Sequence, residues 1–285
     1  PKVCPQTGDL LFFNYSKNAP YMHYGEVDRH NQLVHYVPVP LPGPRLPHDM
    51  IFTPHYAILD DFPLHWDAQK PSRFALVPRR NAPAHIQAQG IRWFDAEPTY
   101  VLHWLNAWEE GDEVVMHGFH QKTPMPKMGY DNSGITLGPD RYGPTLYEWR
   151  FNLRTGQTRE HRLHEPLLEF GMVNTRYWGQ PYRYSYNMIG HPGHFLFDGL
   201  MRFDHVTRQT QEFMFGPGRY GSESPMAPCH DSQFEDDGYV VTFVTDMNHD
   251  RSECLVFDAR AIDAGPVATI FLPFRISSGT HSCWA

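Results

Sequence analysis

Short apolar and aromatic runs alternate along the chain with turn-forming clusters, and the runs read as β-strands. Leu10 to Tyr15 follows Thr7-Gly8-Asp9, and Leu33 to Val39 (LVHYVPV) lies between Asn31 and Pro40. His55 to Leu59, Phe74 to Val77, Tyr100 to Leu105 and Glu113 to Met116 come next, with Glu110-Gly111-Asp112 as a tight-turn signal before the last. Leu146 to Leu153 runs into Arg154-Thr155-Gly156-Gln157, a hairpin turn with Gly where positive φ is needed. Met201 to Asp204 and Gln211 to Phe215 flank the turn His205 to Arg208, and Tyr239 to Thr245 and Cys254 to Asp258 flank Asp246 to Ser252. Short strands of even spacing predict an all-β sandwich, barrel or propeller. The phrases LYEWRFNLRTGQTREHRL and GLMRFDHVTRQTQEFMF are alike in kind, each strand, turn, strand, as propeller blades are. No stretch carries a 3.6-residue apolar period over ten residues without an internal Pro or Gly. Two long loop signals, Gln121 to Gly143 and Phe170 to Gly193, have the length of functional loops.

Composition narrows the class. Hydrophobic residues make up 41% and charged residues 20%, enough apolar side chain for a real core. No apolar run approaches the roughly 20 residues that span a bilayer. The 26 prolines argue against long helices, because interior proline breaks the helical ladder. A net charge of -8 without any basic stripe removes the general attraction for nucleic acid. Cys4, Cys229, Cys254 and Cys283 lie far apart with no C-x-x-C, so a disulfide framework is not expected and a reducing cytoplasm is. The first residues show no signal peptide, and a start at Pro1 suggests a piece of a longer protein.

Among 18 histidines, three stand out by context. His48 (LPHDM), His103 (LHWLNAWE) and His281 (SGTHSCW) are lone imidazoles among apolar or small residues near strand edges. A buried imidazole is either hydrogen-bonded or bound to metal, and the spacing alone leaves both open. His117 and His120 form H-x-x-H, but on a strand i and i+3 face opposite sides, so a chelate there needs a bend. His23, His35, His55, His65 and His191 sit beside Tyr, Trp or Pro and read as structural. Glu109 and Glu110 read as strand-end or turn residues. No nucleophile elbow, P-loop or dinucleotide fingerprint is present.

Six motifs in order carry a family resemblance. They are P-K-V-x-P-x-T-G-D-L at the start, P-H-D-M-x-F-T-x-x-Y-A-I-L at 47–59 and H-W-L-N-A-W-E-E at 103–110. L-E-F-x-x-x-N at 168–174, E-D-D-G-Y-V-V-T-F-V at 235–244 and the terminal G-T-H-S-x-W complete the set. Together they resemble the carotenoid cleavage oxygenases, which include carotenoid, apocarotenoid and lignostilbene dioxygenases. The resemblance implies a seven-bladed β-propeller over 1–285 as a single domain, incomplete at its N-terminus by one or two blades. It also implies Fe(2+) held by four histidines. Three map onto His48, His103 and His281, and the fourth belongs just before Pro1. Outer-shell glutamates map onto Glu169 and Glu223; such carboxylates fix the tautomer of a ligand imidazole. Two departures stand out: Cys4 where many members have Asp, and Thr280 where many have Phe.

The resemblance implies a non-haem Fe(II) dioxygenase that splits a C=C bond of a carotenoid, apocarotenoid or stilbene with O2 into two carbonyl products. Its partners are then an apolar alkene and O2, no nucleic acid, and a membrane surface touched peripherally to reach a lipophilic substrate. Phe170, Tyr177, Trp178, Tyr182, Tyr184 and Tyr186 are expected either as tunnel and cap material or as ordinary blade packing. The rival reading is a propeller that binds partners without chemistry, or an inactive fragment lacking its first iron ligand.

Overall fold

The structure is a computed structural model that describes residues 1–62, 70–121, 143–276 and 281–284. The expected loop at 122–142, His65, and the Gly279-Thr280 pair ahead of His281 lie outside the described residues. The chain falls into two compact units, one comprising Pro1–Pro126, Leu146–Leu163 and Trp178–Pro181, the other comprising Lys127–Thr145, His164–Tyr177 and Tyr182–Ala285.

The first unit holds three antiparallel sheets. The first has β1 (Lys2–Val3), β2 (Leu10–Tyr15), β3 (Tyr21–Val27) and β4 (Leu33–Pro40), paired in that order. Edge strand β4 alternates in burial, and its Pro38 and Pro40 sit where no further strand needs their missing N–H. The second sheet has β5 (Ile51–Phe52), β6 (Tyr56–Asp61), β7 (Ser72–Pro78) and, after the helix α1 (Ala84–Gln89), β8 (Arg92–Ala96). All six residues of β6 are buried, so both faces are covered. That explains a continuous apolar run rather than alternation. Helix α1 is one and a half turns long, below the length at which an apolar period shows in sequence. The third sheet has β9 (Trp104–Glu110), β10 (Glu113–His120), β11 (Thr145–Asn152) and β12 (Thr158–Arg162). Gly156 at φ +76° makes the β11–β12 turn as the sequence predicts. A strand expected at Tyr100 to Leu105 is corrected by four residues at its start and five at its end: β9 runs Trp104–Glu110, and His103 precedes it.

The second unit holds two sheets. One has β13 (Leu168–Met172), β14 (Tyr184–Gly190), β15 (Phe197–Asp204) and β16 (Thr210–Met214). The other has β17 (Arg219–Gly221), β18 (Met226–Pro228), β19 (Gly238–Asp246), β20 (Arg251–Asp258) and β21 (Ala268–Phe271). The segment expected as a long loop from Phe170 to Gly193 thus contains β14. Its apolar pattern is broken by Ser185 and Asn187, both fully buried, with the Asn187 amide donating to Ser185 Oγ at 3.0 Å.

Each unit has its own core. In the first, Phe74, Phe94, Trp104, Trp149 and Phe151 interlock with ring centroids 5.1–6.1 Å apart. A second cluster there gathers Leu11, Tyr24, Phe52, Leu59 and Val77. In the second unit, Phe170, Tyr186, Phe197, Phe215, Leu255 and Phe257 form the core. Phe170 and Tyr186 are therefore packing residues. Tyr184 packs partly against the same cluster and lies under the Arg202 guanidinium at 3.8 Å.

Candidate metal centre

In the first unit, His48 lies on the segment between β4 and β5, and His103 immediately before β9. His48 is exposed and His103 is buried. Their rings meet edge to face, with centroids 5.0 Å apart and planes at 79°. Two segments 55 residues apart in sequence are thereby brought side by side.

Asp49 links the two segments. Its Oδ1 accepts the backbone N–H of Met50 at 2.7 Å, and its Oδ2 accepts the backbone N–H of Trp104 at 2.9 Å. The Lys2 ammonium lies 3.1 Å from Oδ1 and 3.2 Å from Oδ2. Burial pushes the Asp49 carboxyl up, but Lys2, His103 and the two amides outweigh it and hold it below the usual carboxylate range. Behind it, Asp60 is pushed well above that range by burial, with Asp49 and Asp61 adding to the rise and the Trp104 indole opposing it. Trp104 itself is seated by Gly118 on β10, where a Cβ would come within 2.5 Å of the indole ring. A larger residue at 118 would displace Trp104 and, with it, the end of the strand that His103 precedes.

In the second unit, His281 stands beside Glu223, on the link between β17 and β18. His281 Nδ1 is 3.2 Å from Glu223 Oε2, and the same oxygen accepts the Ser282 N–H at 2.6 Å. Ser282 Oγ donates to the Glu223 carbonyl at 2.7 Å. A carboxylate can only accept, so the imidazole proton sits on Nδ1 and the Nε2 lone pair is directed away from Glu223. The Phe170 ring meets His281 edge to face at 5.7 Å, backed by Phe195 and Phe197. Phe170 has φ +49°, a left-handed conformation costly for a bulky side chain. It falls at a one-residue bulge, where Glu169 pairs with Met188 but Met172 with Tyr186. Glu169, fully buried one residue before that ring, accepts the Phe170 N–H on Oε2 at 2.6 Å. The structure thus brings His48 to His103, and His281 to Glu223, and puts Glu169 beside the residue that packs on His281.

His117, His120 and His55 have other partners. His117 Nε2 lies 2.9 Å from Glu148 Oε2, with its ring edge-on to Trp108. His120 stacks on Tyr147 at 4.5 Å, and burial pushes its pKa down to about 4. The two therefore engage different neighbours, as alternation on a strand requires. His55 Nδ1 is 2.8 Å from Glu109 Oε2, and Glu109 also accepts Thr53 Oγ1 and the His55 N–H. Glu109 is thus a tie between β9 and the β5–β6 turn rather than a free strand-end residue. Asp49 carries no signal in the sequence beyond following His48 directly. A short acidic side chain next to an imidazole reads equally well as a turn residue.

The donors fit an iron centre, since imidazole suits Fe(II) and the His281 tautomer is the one a metal ligand needs. Comparison with known proteins gives the family. A family model described as retinal pigment epithelial membrane protein matches residues 1–285. The carotenoid 9,10(9',10')-cleavage dioxygenase 1 of Phaseolus vulgaris is 32% identical over 314 residues, covering 99% of this chain and 56% of that protein. The isoeugenol monooxygenase of Pseudomonas putida is 27% identical, covering 100% of this chain and 64% of that protein. The crystal structure of Pseudomonas brassicacearum lignostilbene dioxygenase superposes with a TM-score of 0.86 at 26% identity, covering all of this chain and 65% of that one. The chain spans a little over half to just under two thirds of the length of these relatives. Five antiparallel sheets of blade form, six family motifs in order and a family-model match from end to end place the chain among the carotenoid cleavage oxygenases, a family of β-propeller oxygenases.

Proposed function

We propose that the protein carrying this chain is a non-haem Fe(II) dioxygenase that cleaves a C=C bond of a conjugated alkene, a carotenoid, apocarotenoid or stilbene. In this reading His48, His103 and His281 hold the iron, with Glu169 and Glu223 behind them. The observation that carries it is the His48–His103 pair, two imidazoles side by side, with the neighbouring Asp49 carboxylate occupied by two amides and an ammonium. The reaction balances without a reductant: the C=C bond breaks, two C=O bonds form, and both atoms of O2 enter the products. Bound iron supplies the centre at which O2 is made reactive toward the alkene.

The chain's own residues have plainer tasks. Glu223 keeps the proton on His281 Nδ1 and so leaves Nε2 as the donor. Ser282 clamps the same glutamate from both its amide and its hydroxyl, which fixes the short segment that carries His281. Phe170 limits the rotation of the His281 ring and shields that side from water. No side chain is needed as nucleophile or acid, in keeping with the absence of such motifs.

The experiment is to purify the full-length protein without oxygen and load it with Fe(II). It is then given 18O2 with a panel of carotenoids, apocarotenoids, stilbenes and isoeugenol. Two carbonyl products, each with one labelled oxygen, support the reading. Iron bound without any product from the panel supports the binding propeller instead.

A further inference from the structure

We propose that Asp49 is a positioning residue of the metal centre, a clasp that sets the His48 and His103 imidazoles at their mutual distance and angle. The inference rests on the reading that these two histidines hold the metal. Asp49 belongs by sequence to the His48 segment, and its Oδ1 bond to the Met50 N–H folds its carboxylate back over that segment. Its Oδ2 bond to the Trp104 N–H grips the residue next to His103. One oxygen therefore holds the backbone two residues from His48, the other the backbone one residue from His103.

The chemistry suits a clasp. Charge-assisted bonds to backbone amides are short and roughly twice as strong as neutral ones. They fix main chain, so they act on where the Cα atoms of the histidines sit rather than on how the rings turn. That leaves ring orientation to other contacts, such as the edge-to-face packing of the pair. Lys2 approaches both oxygens and balances the charge, but it holds no histidine-bearing segment. A ligand pair on two separate loops needs such a link, because a misplacement of about 1 Å costs a metal or catalytic site heavily.

The test uses full-length protein and Co(2+) alone as the probe, read by its visible absorption band and by a binding titration, with thermal midpoints measured alongside. Asp49→Ala is expected to weaken Co(2+) binding by about 10–100-fold and to change the band, as loss of an outer partner does. Asp49→Asn keeps the shape but offers one acceptor oxygen instead of two, and is expected to fall between Ala and the wild type; it carries the test if the Ala variant does not fold. Lys2→Met leaves both amide bonds and is expected to stay within about fivefold of wild type with the band unchanged. A wild-type band and affinity in Asp49→Asn, with only the thermal midpoint lowered, overturns the clasp. So does a loss in Lys2→Met equal to that in Asp49→Asn, since charge rather than geometry is then what matters. If His103→Ala binds Co(2+) as tightly as wild type, the ligand assignment itself has failed, and the clasp with it.

Discussion

His117 with Glu148 and His281 with Glu223 are both imidazole–carboxylate pairs, and they differ in which ring nitrogen faces the carboxylate. His117 presents Nε2, the atom farthest from its own backbone. What remains is Nδ1, tucked near the main chain, in a side chain 3% exposed. His281 presents Nδ1 instead, in a side chain 53% exposed. The carboxylates differ too. Glu148 is shared with Arg150, whose Nε donates to Oε1 at 2.7 Å, so that pair is closed in charge and in hydrogen bonds. Glu223 Oε2 also accepts the Ser282 amide at 2.6 Å, from a residue 59 positions further along the chain. The first pair is buried and shared with an arginine; the second is half exposed and tied to a backbone amide. Residue types alone would rank them equally.

The largest expected effect separates the two directly. His103→Ala or His48→Ala should abolish iron loading and product formation, by more than the about 100-fold typical of losing an outer partner. Metal content by elemental analysis and product yield check it. His117→Ala should leave the iron content of folded protein unchanged, and iron loss there would erase the contrast.

Glu223→Gln should weaken iron binding by about 10–100-fold, because an amide can no longer hold the Nδ1 proton as a carboxylate does. Glu169→Gln is expected to act in the same direction. A fully active double Gln variant at 169 and 223 would remove both from the site.

Glu148→Gln should act on stability rather than on metal. It weakens a buried charged network and should cost about 1–3 kcal/mol in urea unfolding. The acid limb gives a second check. Burial raises the Glu148 carboxyl, but the bonds from His117 and Arg150 outweigh it and bring it from an ordinary 4.5 down to about 2. A carboxyl lowered on folding stabilises the fold above its unfolded value. That stability is lost as pH falls from about 4.5 toward 2. In Glu148→Gln the stability–pH slope over that window should flatten.

Arg150→Met is the smallest change, below about 1 kcal/mol, because the guanidinium is partly exposed and its other partners Glu110 and Glu113 lie toward solvent. A loss as large as that of Glu148→Gln would show that Arg150, not His117, is the main partner of this glutamate.

Local pattern by itself determined a good part of the molecule. Strand β2 has the bounds that its apolar run predicts, and the turns at Gly111 and Gly156 fall where glycine marks them, since both follow from neighbours in the chain. Ordered family motifs marked His48, His103, His281, Glu169 and Glu223 as the residues to examine. Strands β3 and β14 were less legible because they bury polar side chains. Glu26 in β3 is fully buried against Arg79 and Arg80, and the buried Ser185 of β14 has its Oγ 2.9 Å from His205 Nε2. Such positions look like surface until their partners, drawn from distant sequence, are known. The same reason hides the clasp at Asp49 and the closed state of His117. A carboxylate's role depends on which donors the tertiary structure brings to its oxygens, here an amide 55 residues away in one case and an imidazole 31 residues away in the other.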